Sequence, residues 1–261
     1  MNQHLDGELG LAGRVVLITG GGRGIGLAAA RIVGRLGAAV ALHDVDAERV
    51  EEAAKALGRE GIPATPHVGD ARREDDVERV VQEVLSANER IDVLVNNVGG
   101  LVAPAKDLAD TTVEEFESAL ELNLLTNVAF TRCVVPIMKQ RGGGRIVNVS
   151  SALAFRSVGP SHVGYDAAKG CVSGLTRVLA LELAPYDILV NAVAPSSTLT
   201  EATAETGDDD PALYAAYPLQ RAALPEEIGG VIAFLASSWS SYCSGETFVV
   251  SGAQFIGSSQ L

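Results

Sequence analysis

Apolar positions along the chain follow two periods that alternate from end to end. Short aliphatic or β-branched runs at Val15–Thr19, 39–43, Ala64–Val68, 91–95, 145–149, 188–194 and 248–251 read as strands. Between them apolar residues recur at helical spacing. Ile25, Ala28, Ala29, Ile32, Val33 and Leu36 do so after a glycine cluster, and Val77, Val80, Val81 and Val84 do so within 73–87. Further helices are predicted at Ala47–Arg59, from Thr111 or Thr112 to about 140, over about 161–184, and from Pro225 to about 236. Threonine at 111 or 112 can cap the long one, with Glu114 and Glu115 in its first turn.

Strands that alternate with helices imply parallel strands joined by right-handed crossovers, with helices on both faces. The expected fold is therefore α/β, a single doubly wound Rossmann-type parallel sheet. Residues 1–12 read as a flexible leader and 13–261 as one domain. The stretch 195–224 has no strong period beyond PALYAAY and reads as a substrate loop or lid. Ligand should lie beyond the carboxyl ends of the strands, where the polar stretches at 20–26, 44, 70, 96–100, 150–151 and 195–200 fall.

Composition narrows the partners. Twenty basic residues against 33 acidic give the 261-residue chain a net charge of −13, which argues against nucleic acid and anionic membrane surfaces. No apolar run reaches the roughly 20 residues of a membrane span. The N-terminus has no basic-then-apolar signal, so a cytoplasmic protein is expected. Cys133, Cys171 and Cys243 have no metal-ligand spacing and read as small buried residues in a reducing compartment. His43 and His67 have no metal-like companions, and no metal site is expected. The Asp208-Asp209-Asp210 run reads as a solvated loop.

The chemistry starts at Gly20, Gly21, Gly22, Gly24 and Gly26, broken by Arg23, between a buried strand and a helix. That layout offers free backbone N–H groups and a positive helix end to a phosphate. Asp44 closes the second strand about twenty residues later, where a carboxylate can hold both adenosine ribose hydroxyls and repel a 2′-phosphate. It could equally cap the helix that follows. Arg23 could hold the 2′-phosphate of NADP, but the carboxylate acts directly against that group, so NAD is expected over NADP. Tyr165 and Lys169 stand four apart on a helix and share a face. An ammonium beside a phenol lowers its pKa and makes it a usable acid or base. Ser150 and Ser151 end the fifth strand, where a hydroxyl could hold a substrate carbonyl oxygen. Asn123 lies within an apolar helical stretch and needs a partner. His162 reads as a surface or capping residue, and Tyr214, Tyr217 and Leu219 as an apolar lid.

Thr19-Gly20-x-x-x-Gly24-x-Gly26, Asn96-Asn97-x-Gly99, Asn123, Ser151 and Tyr165-x-x-x-Lys169 follow in this order between about Leu11 and Gly252. This ordered set resembles the short-chain dehydrogenase/reductase family. The resemblance implies an NAD(P)-dependent enzyme interconverting a secondary alcohol and a ketone, in which Ser151 orients the oxygen and Tyr165 passes the proton. Lys169 would hold the nicotinamide ribose and lower the Tyr165 pKa, and Asn123 would support a water relay to Lys169. Asp70 and Ala71 would lie by the adenine, and the Asn97 backbone by the adenosine ribose. Gly20, Arg23, Gly24, Ile25, Gly26, Asp44, Gly99, Pro195 and Thr198, with Tyr165 and Lys169, would complete the cofactor site. A homotetramer or homodimer built on the helices carrying Asn123 and Tyr165 is also implied. The chain departs from the family pattern at Val98, at Ser196 where glycine is usual, and at Ser251-Gly252-Ala253. The spacing to Tyr165 is slightly long, which leaves both Ser150 and Ser151 open.

Overall fold

The structure is a computed structural model that describes residues 10–156, 162–206, 210–215 and 217–254. Most of the expected leader, the start of the helix at Ser161, and Asp208 and Asp209 lie outside the described residues. Seven strands form one sheet: β1 (Val15–Thr19), β2 (Ala39–Asp44), β3 (Ala64–Val68), β4 (Val93–Asn96), β5 (Gly144–Val149), β6 (Ile188–Pro195) and β7 (Thr247–Val250). Their order is β3-β2-β1-β4-β5-β6-β7, and every neighbouring pair is parallel. Val16 stands between Val40 and Val93, so β1 is the strand from which the winding direction reverses. A crevice opens at the carboxyl ends on either side of such a reversal.

The pleat assigns alternate residues to opposite layers. Val16, Ile18, Val40, Leu42, Val93 and Val95 pack with α1 (Gly24–Arg35), α2 (Ala47–Arg59) and α8 (Pro225–Ala236). Val15, Leu17, Ala41, Leu94 and Ile146 pack with α3 (Glu74–Asn88), α5 (Thr126–Arg141) and α6 (Val163–Leu183). Strands buried on both faces explain why the sequence runs are uniformly apolar instead of alternating.

Sequence and structure differ in three places. The long helix expected to run to about 140 is α4 (Val113–Leu120) and α5 joined by a π-helical turn, Glu121–Leu125, with Asn123 in the middle of it. Thr112 caps α4 in a reciprocal capping box with Glu115. The 195–224 stretch contains a six-residue helix, α7 (Glu201–Thr206), and a 3-10 turn at Pro211–Tyr214. Finally, the cysteines are not buried: Cys171 is exposed, and Cys133 and Cys243 are intermediate. Among the described residues no helix is long and apolar enough to cross a membrane.

Candidate active site

The turn between β1 and α1 gives its Gly22 and Gly24 N–H groups to carboxylates from other parts of the chain, Asp44 and Glu201. Arg23 occupies the N-cap of α1 in an extended conformation without a side-chain capping bond, and the first helical turn carries no acidic residue. By contrast, Asp46 caps α2 by accepting from the Arg49 N–H, at 3.0 Å. Gly24 has φ +56, a conformation other residues seldom adopt. Asp44 therefore does not cap α2. Its carboxylate accepts from the Gly22 N–H at 3.1 Å and from Arg49 Nη1 at 3.3 Å. A helix start that its own N-cap side chain leaves uncapped, beside a glycine turn whose N–H groups carboxylates accept from, fits a phosphate-bearing ligand that would take the place of Glu201.

Asn97 locks the next loop to this turn. Its Nδ2 donates to the Thr19 and Gly20 carbonyls at 3.0 and 2.9 Å, and its own N–H donates to Thr19 Oγ1 at 2.9 Å. Asp70 lies at the end of the β3 loop in a two-pronged pair with Arg72, which holds its carboxyl below the usual carboxylate range. Gly20, Arg23, Gly24, Ile25, Asp44, Asp70, Ala71, Asn97, Gly99, Pro195 and Thr198 all line one cavity of about 1040 Å³. Gly26 is buried in the first turn of α1 behind that wall.

The same cavity reaches Ser151, Tyr165 and Lys169. The Leu153 N–H donates to Ser151 Oγ at 3.2 Å, and the Ser151 hydroxyl stands where it favours the charged form of the Tyr165 phenol. Ser150 is differently employed: its Oγ donates to the Lys169 carbonyl at 2.8 Å and meets Ser173 Oγ at 2.9 Å, pinning β5 to α6. This geometry separates the two serines that spacing leaves open. Lys169 is 3 % exposed, and its Nζ donates to the Val149 carbonyl at 2.8 Å. Burial pushes its pKa down from 10.5 to about 8.

The expected acidification of Tyr165 by Lys169 is not what this arrangement gives. Nζ lies 5.8 Å from the ring centroid and turns toward Val149. Desolvation dominates and raises the phenol pKa, with the Ser151 hydrogen bond opposing it. A shared helix face does not by itself bring the two polar ends together.

Asn123 acts on the loop above these residues. Its Oδ1 accepts from the Gly100 N–H at 2.9 Å, and its Nδ2 donates to the Gly100 and Ala119 carbonyls, both at 3.0 Å. The amide is thus fully engaged in holding the 99–100 backbone. A Cβ on Gly99 would stand 2.7 Å from Asn123 Oδ1 and 2.8 Å from Lys169 Nζ, so only glycine lets the loop come this close. Beneath the floor, Asn96 Nδ2 donates to Thr131 and Asn148, and Asn148 donates to Thr176, a buried amide chain tying β4, β5 and α6 together.

Two expectations about the cavity wall change. His162 lines the cavity, with Nδ1 3.2 Å from the Ala103 carbonyl oxygen, because the 99–105 loop passes over it. Leu219 is 58 % exposed and packs over Gly252, away from the cavity, whereas Tyr214 and Tyr217 do face it. Those two rings meet edge to face at 5.3 Å, and the Tyr217 hydroxyl bonds Ser197 at 3.0 Å. The sequence reading also missed Arg49, Thr200, Glu205 and Gln254, which line the same cavity, and Glu201 beside it. Arg49 had a signal, since it stands three residues after a strong N-cap. The others lie in polar stretches without a period.

Three kinds of relative match the chain. A protein-family model described as enoyl-(acyl carrier protein) reductase matches residues 20–253. "Dehydrogenase/reductase SDR family member 4" of Oryctolagus cuniculus is 36% identical over 248 residues, 93% of this chain and 94% of that protein. Among solved structures, L-sorbose reductase from Gluconobacter frateurii, complexed with NADPH and L-sorbose, superposes with a TM-score of 0.89 at 28% identity, over 97% of this chain and 100% of that one. A 7α-hydroxysteroid dehydrogenase, complexed with NADH and a 7-oxo bile acid conjugate, does so at 0.88 and 29%, over 98% and 100%.

Proposed function

The chain belongs to the short-chain dehydrogenase/reductase family of oxidoreductases, and from that premise we propose that it is an NAD(H)-dependent enzyme interconverting a secondary alcohol and a ketone. The observation that carries this reading is the convergence of Ser151, Tyr165 and Lys169 on the cavity that also contains the glycine turn and Asp44. A bound nicotinamide dinucleotide supplies the hydride donor or acceptor. The α1 N-terminus and the Gly20–Gly26 turn hold its phosphates, and Asp44 holds the adenosine ribose. Ser151 donates a hydrogen bond to the substrate oxygen and fixes its position. Tyr165 gives a proton to that oxygen during ketone reduction and takes it back during alcohol oxidation. Lys169 holds a positive charge beneath the phenol, and Asn123 is a positioning residue that keeps the 99–100 backbone over both. The substrate is a small molecule enclosed beneath Tyr214 and Tyr217.

Preference for NAD rests on the charges around the adenosine end. Relatives bind either cofactor, as the NADPH and NADH complexes above show for those proteins. Here Asp44 stands where a 2′-phosphate would meet a carboxylate, and Arg49, the nearest guanidinium, is already committed to Asp44 and Asp46. The test pairs NADH and NADPH titrations with turnover of Tyr165→Phe on a panel of cyclic and aryl ketones. Turnover is expected to fall by about a thousandfold while NADH binding stays within twofold or so. Full turnover in the Phe variant would end the proton-transfer role.

A further inference from the structure

Two carboxylates of α7 reach back across the cavity to the glycine turn, and each meets a different group. Glu201 Oε2 accepts from the Gly24 N–H at 3.0 Å. Glu205 forms an ion pair with Arg23 Nη1. The two acceptors lie one helical turn apart, so they share a face of α7. The Thr200 methyl packs against Gly24, within 3.3 Å of where a Cβ would stand. The helix is thus seated on the turn through packing, one backbone hydrogen bond and one ion pair.

These contacts differ in what they imply for a dinucleotide. The Gly24 N–H, which Glu201 now occupies, belongs to the start of α1, a position that would serve the phosphates common to NAD and NADP. Arg23 is the residue placed to serve the phosphate that NADP alone carries, because Arg49 is held by two carboxylates, Asp44 and Asp46, and Arg23 by Glu205 alone. We propose that Glu205 is a specificity-determining residue: by occupying the Arg23 guanidinium, it turns the enzyme against NADPH. This inference rests on the dinucleotide reading of the site. Asp44 would then be half of the selection, and the other half would come from a residue 161 positions further along the chain in a helix with no recognisable sequence signal.

Magnitude shapes the expectation. The Arg23–Glu205 pair is partly exposed, with Glu205 63% accessible, so the pair alone resists displacement weakly. The effect is correspondingly modest and runs through Arg23, because a 2′-phosphate must displace Glu205 before the guanidinium fork can receive it. Such a surface effect is screened by salt.

The experiment titrates NADH and NADPH into the wild type, E205Q, E201Q, R23A and R23A/E205Q by calorimetry. Glutamine keeps the shape of the side chain and removes the charge. E205Q is expected to tighten NADPH binding by about five- to tenfold at low ionic strength and to leave NADH within about twofold. That gain should shrink in high salt and vanish in the R23A background. E201Q should change both affinities by a common factor. An unchanged NADPH-to-NADH ratio in E205Q, a gain that survives in R23A, or an equal shift of the ratio in E201Q would overturn the inference while leaving the site assignment in place whenever the wild type binds NADH. If the wild type binds neither nucleotide, the site assignment and this inference fall together.

Discussion

The two ends of the cavity handle charge in opposite ways. At the adenosine end every arginine has a carboxylate: Arg23 faces Glu205, Arg49 faces Asp44 and Asp46, and Arg72 faces Asp70. At the catalytic end Lys169 is buried and makes no salt bridge among the described residues; its ammonium donates to a backbone carbonyl. Paired, partly exposed charges hold a local shape and select a ligand by sign. A buried charge without a counter-ion instead keeps its desolvation cost, and that cost appears as a displaced pKa. Hence Lys169 is pushed down to about 8, and Tyr165 is pushed up by the same dryness. On the proposed reading, one end serves recognition and the other proton transfer.

Lys169→Met offers the largest contrast. Turnover should fall by about a hundred- to a thousandfold, because the cavity loses the ammonium that would hold the nicotinamide ribose. Stability should move the other way. The unfolded chain keeps this proton up to 10.5 and the folded chain only to about 8, so folding is penalised below pH 8 and relieved as pH rises from 8 to 10.5. A shift of this size corresponds to about 3 kcal/mol, less about 1 kcal/mol for leaving the Val149 carbonyl unpaired. The variant should therefore be about 1–2 kcal/mol more stable than wild type at pH 7 by denaturant unfolding. Loss of stability at pH 7 would place Lys169 among the paired charges and break the comparison.

The adenosine end is challenged by Asp44→Ser. Removing the carboxylate should shift the ratio of NADPH to NADH affinity toward NADPH by about ten- to a hundredfold, read from binding titrations. The same change leaves Arg49 held by Asp46 alone, which makes its guanidinium easier for a phosphate to recruit. An unchanged NAD preference would show that this carboxylate serves only to brace the Gly22 N–H and Arg49.

How much of this was legible in the sequence follows the range of the interactions involved. β1, α2, β3 and α8 have the boundaries that period and capping predict, because local signals define them. The π turn around Asn123 could not be read, since its amide is satisfied by Gly100 of a distant loop. α7 is short and polar, and what holds it is the glycine turn far upstream. The ordered motifs located the site and separated its two ends. They did not reveal that Lys169 turns toward Val149, nor that Ser150 is spent on packing, since both depend on which carbonyl lies within reach in three dimensions. Spacing gives the face on which a side chain stands; only the packed neighbours give its partner.

His43 sharpens the comparison because it stands next to Asp44 yet belongs to the dry class. It is buried, its Nε2–H donates to the Gly69 carbonyl at 2.9 Å, and its ring packs edge-on against Phe130. Nδ1 has no partner among the described residues, so the neutral tautomer with the proton on Nε2 is favoured. Burial lowers the pKa from 6.5 to about 4. The folded state thus refuses a proton that the unfolded chain accepts below pH 6.5, and stability present above that value is lost as pH falls toward 4. Between pH 7 and pH 5 the loss from this ring should be about 2 kcal/mol. His43→Gln keeps a donor for Gly69 and cannot titrate. Its stability should be somewhat lower at pH 7 through poorer packing against Phe130, but its decline toward pH 5 should be shallower by that amount. Parallel declines in the two proteins, measured as denaturant midpoints at several pH values, would mean that acid sensitivity comes from the paired carboxylates and not from the buried ring.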